Sequence, residues 1–294
     1  MKIISIIIIS IILYGPEIFA QSNQDFREMK EEGMRLFSQG KYSSALKMFD
    51  GAEGFAYTSS EKSELAKVKS QLRDTVRIVY NTSINIAKSA KNAIEYRRAL
   101  QSFKRLIPND DLYVPSLFRW MGYCYERLSE PVAAIEYYEK GLVHEESFCA
   151  YKLAKLLPKY SPVSEDSIIV LLKIGAKAKK SAYDDLGDKY LRRNYNIAFD
   201  YYRKSGSKYG KYQMASLLLT KNISATENPI ELLKELSNAN YGDAQFYLGL
   251  LYFHGNSRLK KDQEMGLDLI KKSANNGCKD ASDWLKERNR ELYY

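Results

Sequence analysis

The chain has 294 residues, a formal net charge of +9, 45% hydrophobic and 28% charged residues, and only 16 Gly and 7 Pro. That is too little Gly and Pro for a fibrous or disordered chain, and enough apolar material for a packed core. The positive excess bears on association, favouring acidic partners or an anionic surface, and not on fold.

Lys2 precedes an apolar run from Ile3 to Leu13 broken only by Ser5 and Ser10, and Gly15-Pro16 is expected to end the helix ahead of Ile18-Phe19-Ala20. This layout predicts a signal peptide over residues 1–20, cleaved between Ala20 and Gln21. The apolar run is about half of the roughly 20 residues that span a bilayer, which argues against a membrane anchor. No later segment is apolar for long enough, so the mature chain is expected to be soluble and exported, either periplasmic or at the cell surface or secreted.

Small residues then recur at fixed spacing. Gly33 is followed by Ala45, Phe49 and Ala52; Ala87 by Ala99 and Phe103; Gly122 by Ala134, Tyr138 and Gly141. In each case the first small residue precedes the alanine by twelve positions (33 to 45, 87 to 99, 122 to 134). Ser59 to Ala90 lacks Pro and Gly, and Leu65, Val68, Leu72, Val76 and Val79 fall three or four apart, so one extended helix is predicted at about 59–91. Its length accounts for the 54-residue step from Ala45 to Ala99, against 35 from Ala99 to Ala134. Pro108, Pro115, Pro131, Pro158, Pro162 and Pro229 are all expected between helices or at their starts, where a missing N–H costs little. No run alternates with period two, so no strand is expected. The 24 tyrosines suit grooves between helices, with the ring buried and the hydroxyl reaching water or a neighbour.

This pattern of small residues where two helices touch, with an aromatic beside them, resembles the tetratricopeptide repeat, and the likeness covers 21–145. From 146 to 294 the chain resembles the Sel-one-like repeats. The clearest copy is Ala244-Gln-Phe-Tyr-Leu-Gly-Leu-Leu-Tyr252, continued by Gly255, Asp262 and Ser273-Ala274-Asn-Asn-Gly277; a second is Ala182-Tyr-Asp-Asp-Leu-Gly-Asp-Lys-Tyr190. Degenerate copies begin near Cys149 and Tyr212. In the latter Ser216-Leu217 replaces Leu-Gly, so an altered inter-helix loop is expected there. Ala281 to Tyr294 is read as a capping helix. The fold these resemblances imply is all-α, a right-handed α-solenoid of antiparallel helix pairs.

The sequence offers little chemistry. Cys124, Cys149 and Cys278 lack metal-site spacing, so no structural zinc and no disulfide framework are expected. His144 and His254 stand alone in expected turns, without the partners that metal binding or nucleophilic catalysis needs. There is no GxSxG, phosphate-cradling glycine loop or HExxH. Asp110-Asp111, Glu145-Glu146 and Asp184-Asp185 read as solvated charges. The clusters Lys177–Lys180, Arg192-Arg193, Lys260-Lys261 and Lys271-Lys272 are short and interleaved with acids. No catalytic residue, cofactor, metal or nucleic acid is therefore expected.

In tetratricopeptide repeats the groove residues lie three before, and one, four and five after, the first small residue. Carried over by resemblance, these positions are Lys30 in the first repeat, Lys88, Lys91 and Asn92 in the second, and Arg119, Tyr123, Glu126 and Arg127 in the third. Five of the eight are basic, so an acidic or carboxylate-bearing peptide or protein is the expected ligand of an exported interaction scaffold, with a component of an envelope assembly as a candidate partner. The alternative is a cell-wall-acting envelope enzyme or inhibitor. Cysteine-rich exported Sel-one-like proteins are proposed to act on β-lactams, but their regular disulfide cysteines are missing here.

Overall fold

The computed structural model describes residues 2–106, 116–144, 146–221, 223–256 and 258–291. Pro108 and Pro115, the Asp110-Asp111 pair, Glu145 and the terminal Tyr293-Tyr294 lie outside the described residues. Fifteen α-helices lie among those described, in two compact units formed by residues 1–146 and 147–294. No strand occurs among the described residues. One isolated antiparallel bridge joins Asn256 and Leu259.

The first unit holds α1 (Lys2–Ser38), α2 (Tyr42–Glu53), α3 (Ser59–Ser89), α4 (Ala93–Lys104), α5 (Leu117–Arg127) and α6 (Pro131–Val143). α1 runs through Gly15-Pro16 without the break expected there. A helical proline removes one N–H donor and strains one turn, and turns on both sides hold the helix together here. Among the described residues no helix is long and apolar enough to cross a membrane. α3 is the extended helix that the spacing predicted. A reciprocal capping box starts it: the Glu61 N–H donates to the Thr58 hydroxyl at 3.1 Å, and the Glu61 carboxylate accepts from the Thr58 N–H at 2.9 Å. Leu65, Leu72 and Val76 are buried along it, with Val68 and Val79 packed beside them. Lys69 is buried on the same helix and bridges Asp50 and Glu53 of α2, 2.5 Å from each.

The second unit holds α7 (Ser147–Tyr160), α8 (Glu165–Gly175), α9 (Ser181–Tyr190), α10 (Tyr195–Ser205), α11 (Lys208–Thr220), α12 (Pro229–Asn238), α13 (Gly242–His254), α14 (Gln263–Asn275) and α15 (Lys279–Glu291). Ser164, Asn194, Ser207, Asn228 and Asp262 each cap a helix N-terminus through the side chain. Pro131 and Pro229 open α6 and α12. Pro158 departs from the expectation and sits inside α7, but only two residues from its end, where helical bonding is already running out. α15 buries Ala281 and packs Trp284 and Leu285 around Ile270 and Cys278.

Within a pair, one contact recurs: a glycine or alanine on the first helix lies under an aromatic ring of the second. A β-carbon on Gly122 would stand 2.6 Å from Cε1 and 2.7 Å from Cδ1 of Tyr138. One on Gly33 would stand 2.5 Å from Cε1 of Phe49, and one on Gly187 2.6 Å from Cδ1 of Tyr202. In the α3–α4 pair Ala87, Ala99 and Phe103 are all fully buried. α13 and α14 approach closer still, since a β-carbon on Gly266 would lie 2.6 Å from the backbone nitrogen of Phe253.

These distances set the sign of one substitution. Gly→Ala in a helix interior is worth about 1 kcal/mol in its favour by propensity. At Gly122 the added methyl meets the buried Tyr138, whose hydroxyl donates to Glu126 at 2.5 Å and keeps the ring from swinging aside. Overpacking of this kind costs about 1–3 kcal/mol. Gly122→Ala is expected to lower unfolding stability, which denaturant titration measures; an unchanged or higher midpoint would show that the ring yields.

Candidate functional site

The groove positions named from the sequence divide sharply in the structure. Lys30 pairs with Glu64 at 2.9 Å and lies 5.7 Å from the Phe26 ring centroid, bracing α1 against α3. Asn92 does not stand on the first helix of its repeat: α3 ends at Ser89, and Asn92 caps α4 by accepting from the Glu95 N–H at 3.0 Å. Lys91 lies in the same connection, with its N–H on the Glu95 carboxylate at 2.6 Å and its side chain exposed. α3 ends at Ser89, just after Ala87, whereas α5 runs on from Gly122 to Arg127, so the carried-over positions after Ala87 land in the turn. Glu126 is engaged by the Tyr138 hydroxyl.

The other four gather around Trp120, a residue the sequence analysis did not single out. Lys88 Nζ lies 5.5 Å and the Arg119 guanidinium 5.7 Å from the Trp120 ring centroid. Tyr123 meets Trp120 edge-on at 5.7 Å and Tyr96 edge-on at 6.2 Å. Arg127 ends the row, 5.8 Å from the Tyr96 centroid, with its Nε donating to the Tyr96 hydroxyl at 3.2 Å. That hydroxyl donates in turn to the carbonyl of Ala90 at 3.0 Å, tying α4 to the end of α3. Three helices thus build one row of alternating rings and cations. Burial, then the hydrogen bond with Tyr96, raises the Tyr123 phenol above its ordinary value even though Arg127 pulls the other way. Arg119 also faces Glu146 at 3.7 Å. Each cation over a ring gains about 0.5–1 kcal/mol at an exposed site and keeps its charge.

Elsewhere the structure offers packing in place of chemistry. Cys124, Cys149 and Cys278 are buried thiols, and burial pushes the Cys124 thiol up to about 12, far from a reactive thiolate. His144 stacks on Phe118 at 5.5 Å and His254 meets Phe253 edge-on at 5.1 Å. Among the described residues no group of three His, Cys, Asp or Glu is placed to hold a metal ion.

Asp184 and Asp185, expected to be solvated, are half-buried on α9. Asp184 accepts from the Ser207 hydroxyl at 2.9 Å, while Lys155 donates to Asp185 Oδ1. Asp188 accepts from both the Tyr202 and Tyr209 hydroxyls at 2.7 Å. Helical spacing sets all three carboxylates against neighbouring helices, which a reading of adjacent charges does not anticipate. Asp185 Oδ2 is buried without a hydrogen-bond partner, and burial raises the carboxyl above its ordinary value despite Lys155. The native state therefore holds this proton more tightly than the unfolded chain. The resulting stability is present below the unfolded value and is lost as pH rises through the native one. Asp185→Asn is accordingly expected to fare better relative to the parent at about pH 7 than at about pH 3, as read by denaturant unfolding at both values; a flat difference would contradict it.

Compared with known proteins, residues 119–141, 185–208 and 242–278 match the Sel1 repeat family model. Over these three stretches the chain carries Sel1-like helical repeats. The first match covers most of α5 and α6, in the stretch that resembled a tetratricopeptide repeat, and includes both Gly122 and Tyr138. The second includes Gly187 and Tyr202, and the third spans the α13–α14 pair with Gly249 and Gly266. A Sel1 repeat protein from Oxalobacter formigenes shares the fold at TM-score 0.55 and 18% identity, over 69% of this chain and 84% of that one. A protective antigen present in uropathogenic Escherichia coli strains, displaying an SLR fold, aligns at TM-score 0.49 and 16% identity, over 93% of this chain and 68% of its own. No curated protein matches the chain. Sel1 repeats generally mediate protein–protein interactions, and their folds are typically non-catalytic scaffolds.

Proposed function

We propose that this protein is an exported interaction scaffold that binds an acidic peptide segment of a protein partner across the Trp120 row of its first unit. The carrying observation is the pair of cations, Lys88 and Arg119, held within 5.7 Å of one indole ring. Tyr123, Tyr96 and Arg127 continue the same row. Aromatic and Arg side chains are the groups that anchor interfaces, because rigid rings supply contact area at little entropic cost while guanidinium groups bind carboxylates in two-point fashion. Lys91, exposed in the α3–α4 connection, adds charge nearby. Export rests on the Lys2-led apolar run and the small residue at Ala20, which leave a periplasmic or surface partner, such as an envelope component, as the natural ligand.

The test is a titration with an end-capped peptide of alternating Glu and Leu, followed by tryptophan fluorescence in a Trp284→Phe background so that Trp120 alone reports. Charge reversal by Lys88→Glu, Lys91→Glu and Arg119→Glu together is expected to weaken binding by at least about a hundredfold, at roughly 1 kcal/mol per contact, and added salt is expected to weaken the parent complex. Equal binding by the parent and the reversed form, or a matched Gln–Leu peptide binding as well as the acidic one, would overturn the assignment.

A further inference from the structure

The second unit carries a cavity that the Trp120 row does not involve. It has a volume of about 500 Å³, lies between the α9–α10 connection and the C-terminal half of α11, and opens to solvent. That volume is within the range of small-ligand sites. Arg192 comes from the connection, Tyr195 from the first residue of α10, and Gln213, Ser216 and Leu217 from α11, while Lys221 caps that helix at its C-terminus. α11 is the helix in which Ser216-Leu217 stands in place of Leu-Gly. Leu217 is buried there, where α9 and α13 carry Gly187 and Gly249 and take a partner in close contact.

The charges around this cavity are one-sided. Two of its lining residues are cationic and none is acidic. Arg193, next to Arg192, is engaged by Glu165 at 2.7 Å and Asp166 at 2.8 Å. Among the described residues Arg192 has no such partner, and Lys221 makes no ion pair; its Nζ lies 4.6 Å from the Tyr195 ring centroid. Between the cations the wall is neutral and polar. The Ser216 hydroxyl has no hydrogen bond among the described residues. The Thr220 hydroxyl donates to the Ser216 carbonyl at 2.8 Å and keeps its acceptor capacity, and the Gln213 amide, which also touches the Tyr209 hydroxyl, retains further donors and acceptors. Tyr195 is 42% exposed, a ring edge and face on which an apolar surface can rest.

A ligand that satisfies all of these together has a carboxylate, several hydroxyl groups that both donate and accept, and a face of C–H groups to lie on a ring. We propose that this cavity binds a carboxylated sugar, with its carboxylate on Arg192 and Lys221, its hydroxyls on Gln213, Ser216 and Thr220, and its ring against Tyr195. A purely apolar acid would leave the polar wall unmatched and a neutral sugar would leave both cations unmatched; each polar group that the ligand covers without pairing lowers affinity. The carboxylated sugar can be a free monosaccharide or a unit of a polysaccharide, which share this chemistry.

The experiment is isothermal titration of the full chain with galacturonic acid, a trisaccharide of galacturonic acid, galactose and 3-phenylpropionate. At least one of the two galacturonic ligands is expected to bind at least about tenfold more tightly than either galactose or 3-phenylpropionate. Preference for the monosaccharide would identify a free sugar, and preference for the trisaccharide a polymer. Arg192→Gln and Lys221→Gln are each expected to weaken that binding about tenfold or more. Arg193→Gln should leave it unchanged, and Arg192→Lys should restore part of what Arg192→Gln loses, which separates recognition from a folding defect. Absence of binding by both galacturonic ligands, equal binding by galactose or 3-phenylpropionate, or full affinity in the two Gln variants would overturn the proposal. None of these outcomes touches the Trp120 row, which lies on the other unit.

Discussion

Contact between a glycine and the face of an aromatic ring sets the geometry of the α1–α2, α5–α6 and α9–α10 pairs. A glycine at position 122 or 187 brings the second helix near enough for Tyr138 or Tyr202 to be wholly buried, and burial then obliges each phenol to find a partner: Glu126 for one and Asp188 for the other. Packing therefore dictates where carboxylates must stand. Glu126, half-buried, and Asp188, at the surface, are each engaged by a buried phenol in this way. In α11 a buried leucine, Leu217, stands at the glycine's place and lines a cavity.

The same logic separates structural cations from those facing solvent. Lys69 is buried and locked to two carboxylates, and Arg193 and Arg203 each bridge to an acid on another segment. Ion pairs at the surface contribute little each, but they fix which charges remain for a ligand. Lys88 and Arg127, and Arg192 and Lys221, lean on aromatic rings or on nothing charged. Their distribution, and not the net charge of +9, is what the two proposed anion sites rest on.

Much of the architecture could be read from the chain because packing here is local. The twelve-residue step from small residue to alanine measures one helix turn-over, and the uninterrupted apolar spacing of Leu65, Leu72 and Val76 marks α3 directly. The candidate site was legible only in part. Lys88, Arg119, Tyr123 and Arg127 could be named because offsets along one helix are a sequence property, but Trp120 and Tyr96 join them through contacts between helices that no spacing encodes. A single tryptophan two residues before Gly122 was the available signal. Lys91 and Asn92 fall beyond the early end of α3 at Ser89, and Asp184 and Asp185 looked solvated because adjacency in sequence hides what each faces across a helix boundary.

The extended α3 has one more effect, on how unfolding spreads. In an array whose helix pairs touch only their immediate neighbours, each pair can fray in turn and cooperativity decays along the stack. α3, at 31 residues about 45 Å long, packs against α2, α4 and α5 and is paired to α1 through Lys30 and Glu64, and so gives the first unit a beam that four other helices share. Losing it frees all four at once. The platform formed by Lys88, at the end of that beam, with Trp120 and Tyr96 is then held by a block that opens as a whole, so its rings keep their spacing until the block itself gives way.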